Sequence, residues 1–177
     1  MILFEFSQEH PESLTEPLNT NDILYATGFD LCILSTSYKS FGYKKQIHIW
    51  ITSSDYENAN LMILLGYIIM GHPEWKDGFI KIFAIHNGIS SNEKRQDLND
   101  LIKSGRLPIS PNNINLISMK NEQDKKEIIS KTSMDADLTI IGFRSEKIKT
   151  EGYKLFTGYE RLGNILFVNS NKEKEIK

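Results

Sequence analysis

Apolar and polar positions fall in blocks along this chain. The clearest block is Lys44–Phe83, KKQIHIWITSSDYENANLMILLGYIIMGHPEWKDGFIKIF. Gln46–Ile51 is rich in β-branched and aromatic residues and stops at the polar run Thr52-Ser53-Ser54-Asp55, the pattern of a buried strand. The run Leu61–Met70 then has no polar side-chain group except the Tyr67 hydroxyl. A bilayer span needs roughly 20 apolar residues, so this run predicts a helix pressed against a sheet. The helix is expected over Tyr56–Met70, ending near Gly71, because Pro73 cannot continue it. Gly78–Ile85 returns as a strand. A strand–helix–strand crossover of this length implies parallel pairing and a right-handed connection.

The same reading extends to both sides. Ile2–Phe6 predicts a first strand, and Pro11 opens a helical segment to about Thr27, with Pro17 in its first turns and Gly28 ending it. Phe29–Thr36 is a second strand, and Ser37–Tyr43 is a loop containing Gly42. Ser91–Ser104 predicts a helix with Ser91 as a simple N-cap, an apolar face of Leu98, Leu101 and Ile102, and Gly105 as its stop. Ile114–Ile117 and Leu138–Ile141 are short strands, with a helix over Asn121–Thr132 between them, Ile128 and Ile129 facing inward. Gly152–Leu162 is expected as a final helix and Ile165–Val168 as the last strand. Residues 1–170 form one domain, and the charged tail 171–177 frays.

Strands alternating with helices point to an α/β domain with a mainly parallel sheet and helices on both faces. This three-layer, Rossmann-like pattern resembles the universal stress proteins, some of which bind ATP. Ligands in such folds sit beyond the carboxyl ends of the strands, near a switch point. The strand ends offer Ser35, Thr36, Ser53, Ser54, Asp55, His86, Asn87, Ser118 and Gly142. Ser53, Asp55 and His86 have the chemistry of a nucleophile, an acid and a base. Polar residues also gather at such turns to cap helices, and Asp55 is placed to accept backbone N–H groups of the helix after it. There is no Gly-x-Ser-x-Gly elbow. Gly142 follows ADLTIIG as a phosphate loop would, but the Gly-x2-Gly-x9-Gly spacing and the Walker Gly-x4-Gly-Lys-Ser/Thr are absent, and Phe143 and Glu146 stand where close approach is needed. The expectation is no catalytic residue and no cofactor, with a stress-protein-like nucleotide binder as the alternative.

Composition narrows the classes further. The chain has 177 residues, 40% hydrophobic and 25% charged, with a formal net charge of -2. That balance supplies no basic footprint for nucleic acid. The four histidines, His10, His48, His72 and His86, are scattered without metal-ligand spacing, so no metal is expected. The single cysteine, Cys32 in FDLCILS, reads as an inert core thiol. MILFEFSQEHPE lacks a basic n-region and a long apolar core, so no secretory leader is expected. The basic positions Arg144, Lys147, Lys149 and Lys154 are interrupted by Glu146 and Glu151 and read as a solvated loop.

Lys44–Phe83 also carries a family resemblance. Trp50 at a strand end, Ala59-Asn60 before the Leu/Met-rich Leu61–Leu65, His72 before Trp75, and Lys81-Ile82-Phe83 resemble the cytosolic C-terminal domain of cation-chloride (Na-K-Cl type) cotransporters and amino acid permease-like relatives. Ala136–Gly142 and the strand Gly163–Val168 followed by Asn169 are two further matching pieces. One position departs: the family's Gly-Gly pair is Ala59-Asn60 here, which asks for a different turn. The resemblance implies a non-catalytic regulatory and dimerisation domain at the cytoplasmic face of a cell membrane. Its partners would be a second copy and the membrane-embedded half of its own transporter, which lies outside this chain. Pairing then calls for exposed apolar positions. Trp75 in HPEWKDG leads, either as an interface aromatic or folded back on its helix end, followed by Phe41, Tyr43, Tyr153, Phe156 and Tyr159.

Overall fold

The computed structural model describes residues 1–52, 56–86, 110–119 and 125–172. Its strands are β1 (Ile2–Ser7), β2 (Leu31–Thr36), β3 (Gln46–Ile51), β4 (Phe79–His86), β5 (Ile114–Ser118), β6 (Leu138–Gly142) and β7 (Asn164–Asn169). Its helices are α1 (Thr15–Ala26), α2 (Ala59–Met70), α3 (Lys125–Thr132) and α4 (Ser145–Glu151). The expected helix Ser91–Ser104 lies outside the described residues, as do Ser53, Ser54, Asp55 and Asn87. All strands join one seven-stranded sheet in the order β1-β2-β7-β6-β3-β4-β5. Every neighbouring pair is parallel except β2 with β7. This is the α/β, mainly parallel architecture that the alternation of patterns predicts.

The pleat divides the core in two. Along β3, Ile47, Ile49 and Ile51 enter one apolar cluster and Trp50 the other, as the two-residue period of a strand requires. The first cluster lies under α2, which contributes Ala59, Leu61, Met62 and Ile63. Gly66 lets that helix sit close to the sheet, since a Cβ there would stand 3.0 Å from Ile49 Cδ1. The second cluster is covered by Leu18 and Leu24 of α1, Ile129 of α3 and Ile148 of α4. Trp50 stacks on Phe83 within it at 4.6 Å between centroids. Helices therefore flank both faces.

Two expectations need correction. The last helix is α4 at Ser145–Glu151, not Gly152–Leu162. Residues Gly152–Leu155 form a single 3-10 turn, and an irregular segment follows. Phe156, Tyr159 and Leu162 are spaced like one face of a helix, yet they bury separately in the core beneath a looped backbone. Of the basic positions read as a loop, Lys147 and Lys149 lie on α4, and Arg144 and Lys154 flank that helix. It anchors through Ile148, with Lys147 near Glu151 (3.8 Å) and Lys149 near Asp22 (3.1 Å). The departure at Ala59-Asn60 is also explained. A 3-10 turn over Tyr56–Asn58 leads directly into α2, and both residues are buried in its first turn.

Candidate functional site at the strand ends

Chain order reverses direction in the sheet between β3 and β6. From β3 the chain moves outward through β4 and β5, and from β6 it moves the other way to β7. The crevice beyond the carboxyl ends of these strands is where ligands of open α/β sheets bind. Among the described residues, amide side chains bridge its β6–β7 side. Asn58, at the head of α2, donates from Nδ2 to the Phe143 carbonyl at 2.8 Å and accepts the Ser170 backbone N–H on Oδ1 at 2.7 Å. Asn169, the last residue of β7, donates to the same Phe143 carbonyl at 3.0 Å. Asp30 Oδ1 accepts the Asn171 backbone N–H at 3.0 Å. Asn58 and Asn169 are both buried. Arg144 and Glu57 close the rim as an ion pair at 3.3 Å.

The recess left between these groups is lined by Asn58, Arg144, Ser145 and Ser170 among others and holds about 30 Å³. That is room for a water or two, whereas small-molecule pockets run to roughly 300–1,000 Å³. The amides act here as internal ligands. They take the hydrogen bonds that an open crevice leaves for a guest.

A second polar centre sits at the opposite end of β6. Asp137 accepts three backbone N–H groups of the loop into β3: Tyr43 on Oδ1, and Lys45 and Gln46 on Oδ2, each at 2.8 Å. The loop curls to do this, with left-handed φ of +49° at Gly42 and +55° at Lys44. Consecutive N–H groups turned to one side form an anion-binding concavity, and the chain's own carboxylate fills it.

A third centre is buried under α3. The His48 Nδ1 and Ser133 Oγ are 2.8 Å apart, and Trp50 Nε1 donates to the same Oγ at 2.9 Å. His48 is lowered to about pKa 4, first by burial and then by Lys81.

The remaining sequence candidates scatter. Ser35 is buried in β2, Thr36 donates to the Phe6 carbonyl at 3.2 Å, and His86 and Ser118 are register partners in β4 and β5. His10 pairs with Glu12 at the surface, and His72 caps the 3-10 turn Pro73–Trp75 by accepting the Glu74 N–H. Among the described residues no group of three or more His, Cys, Asp or Glu is arranged to hold a metal. Cys32 is buried, and burial and the nearby Asp30 push its thiol up to about 12.

The apolar interface candidates divide by burial. Trp75 is only 6% exposed and meets Phe41 edge to face at 6.2 Å. Its ring folds back on the end of α2, the second of the two arrangements that its sequence setting allowed. Phe156 and Tyr159 are core residues at 2% and 5% exposure. Tyr43 at 87% and Tyr153 at 56% do stand on the surface. Sequence reasoning passed over Asn58 and the clamping role of Asp137. The available sign was an Asx residue directly beside a strand or helix start.

No protein-family model matches the chain, and no curated protein matches it. Among solved structures it is similar to the crystal structure of the cytoplasmic domain of a prokaryotic cation chloride cotransporter, with a TM-score of 0.61 and 14% identity over 98% of this chain. The chain spans 66% of that structure. At this identity the likeness establishes a shared fold. Among the described residues no helix is long and apolar enough to cross a membrane.

Proposed function

We propose that this chain is a non-catalytic regulatory and assembly domain of a secondary transporter of the cation-chloride cotransporter type, placed at the cytoplasmic face of the membrane. The observation that carries the reading is the fold likeness to the cytoplasmic domain of such a transporter along almost the whole chain. The sequence pieces behind the resemblance also take structural posts in this fold. Trp50 stacks in the second core, Ala59-Asn60 head α2, and Asp137 clamps the loop into β3.

The amide bridges at the strand ends support a non-catalytic role. Among the described residues the polar groups of the crevice bond to one another, and the recess they leave holds about 30 Å³, well below the size of a small-molecule pocket. In this reading the domain works as a rigid surface. It pairs with a second copy and couples to a membrane-embedded half through its loops. Tyr43 and Tyr153 are the exposed aromatics proposed to take part. The net charge of -2 argues against a nucleic-acid partner.

Light scattering of the purified chain over a concentration series, repeated with millimolar ATP, tests the proposal. The expected result is a concentration-dependent dimer whose mass and melting temperature ignore ATP. A mass or melting temperature that moves with ATP would replace it with the universal-stress-like reading. A monomer at every concentration would remove pairing as its mechanism.

A further inference from the structure

The described part of helix α3 buries a small face. Of its eight described residues Ile129 and Ser130 are buried, and Ile128 is partly buried against the second cluster. It is tied at Lys126, whose Nζ donates to the carbonyls of Lys154 at 2.5 Å and Thr157 at 2.7 Å. Its C-terminal end is tied by Ser133, which is fully buried, continues the helix through its N–H to the Ile129 carbonyl, and accepts the Ala136 N–H on its own carbonyl. The Ser133 hydroxyl is the shared partner of His48 and Trp50. We propose that this His48–Ser133 contact is an acid-releasable latch: a proton added to His48 frees Ser133 and lifts the C-terminal end of α3 from the sheet.

The geometry gives the reason. His48 is 3% exposed, and its Nε2 has no hydrogen-bond partner among the described residues. The ring meets Phe83 edge to face at 5.0 Å. In the ladder its neighbours are Lys81 on β4 and Thr139 on β6. The charged groups facing it are therefore Lys81, which opposes a second positive charge, and Asp135 and Asp137, which favour one. The Asp137 carboxylate is already shared among three backbone N–H groups. Protonated imidazole carries two N–H donors, and Ser133 Oγ is the one hydrogen-bond partner the ring has among the described residues. The second N–H and the charge then lie in the buried interior, a costly arrangement. Moving the ring toward solvent relieves both, and that motion must break the contact with Ser133.

The neutral imidazole is the form that the folded state holds. The latch is therefore fully closed above the ordinary imidazole value of 6.5, weakens as pH falls through that value, and reaches its limit near pH 4. Between about pH 7 and pH 4.5, linkage over this interval favours the open form by on the order of 50-fold.

Amide exchange of the intact chain, corrected for intrinsic rates, tests the latch. Residues 129–136 are expected to lose protection by more than about tenfold relative to β3 on acidification, and by less than about twofold in His48→Gln. An equal loss in the variant, or a loss shared equally by β3, would overturn the proposal. A magnetic-resonance titration of the wild-type ring decides the matter should the variant fail to fold. A midpoint well below 6.5 that moves together with the Ile129 amide is expected. A midpoint at 6.5, or an Ile129 amide indifferent to it, would sink the latch.

Discussion

Replacing Asp137 should test how this chain organises the entry into its central strand. The carboxylate accepts three backbone N–H groups at 2.8 Å. A hydrogen bond to a charged acceptor contributes about 1.5–3 kcal/mol where water is excluded. The bonds from Tyr43 and Lys45 are exposed, so water takes over part of their role, whereas that from Gln46 is partly buried. Counting about 1 kcal/mol for each, Asp137→Ala should cost about 3 kcal/mol. For a domain of this size that is a fall of roughly 6–12 °C in melting temperature. Asp137→Asn keeps one acceptor oxygen but turns an NH₂ group toward N–H donors, and should cost about 2 kcal/mol. Urea unfolding followed by tryptophan fluorescence reads this directly, since Trp50 and Trp75 are both buried. The midpoint should fall with an unchanged slope. Gly42 supplies an internal control. A Cβ there would lie 2.2 Å from Asp137 Oδ1, at a φ of +49°. Gly42→Ala should therefore cost several kcal/mol in the wild type but only the left-handed penalty of about 1–2 kcal/mol once residue 137 is Ala. An Asp137→Ala protein within about 0.5 kcal/mol of wild type, or strictly additive effects at the two positions, would refute the clamp.

Three further outcomes follow from burial and bonding. Trp75→Ala should cost about 3–5 kcal/mol of stability, because it empties a packed site against Phe41. Light scattering on the same variant should show no change in mass, and loss of a dimer with stability intact would return Trp75 to the interface. Asn58→Ala leaves the Ser170 N–H without its acceptor and the Phe143 carbonyl with one donor fewer, and should cost about 1–3 kcal/mol in the same urea assay; a neutral result would mean water fills the crevice without loss. Cys32, buried and with its thiol pushed up to about 12, should react with a disulfide reagent only at the rate at which the chain opens, and labelling that outpaces unfolding in a parallel stopped-flow experiment would contradict its placement.

The local patterns in this sequence were legible because their causes are local. Gln46–Ile51 reads as a strand from its β-branched run and is one, residue for residue. Leu61–Met70 reads as a helix on a sheet because no other setting covers that much apolar surface, and α2 ends at Met70 as Pro73 requires. The miss at the fourth helix has an equally local origin. Only Ser145 and Ile148 of that seven-residue helix are buried, too few to show a period, whereas the apolar residues of 152–162 imitate one.

What the chain alone determined, then, is its element types and its α/β class, since periodicity records which face each segment hides. Tertiary structure decided the rest. Strand order and the antiparallel meeting of β2 with β7 depend on pairings between segments far apart in sequence. The amide clamp joins Asn58 to Phe143 and Ser170 across 85 and 112 positions. Asp137 reaches back to Gln46 across 91. A polar residue beside a strand carries the same letter whether it caps a helix, grips a loop or holds a ligand, because its role is set by which donors and acceptors the fold brings within about 3 Å of it.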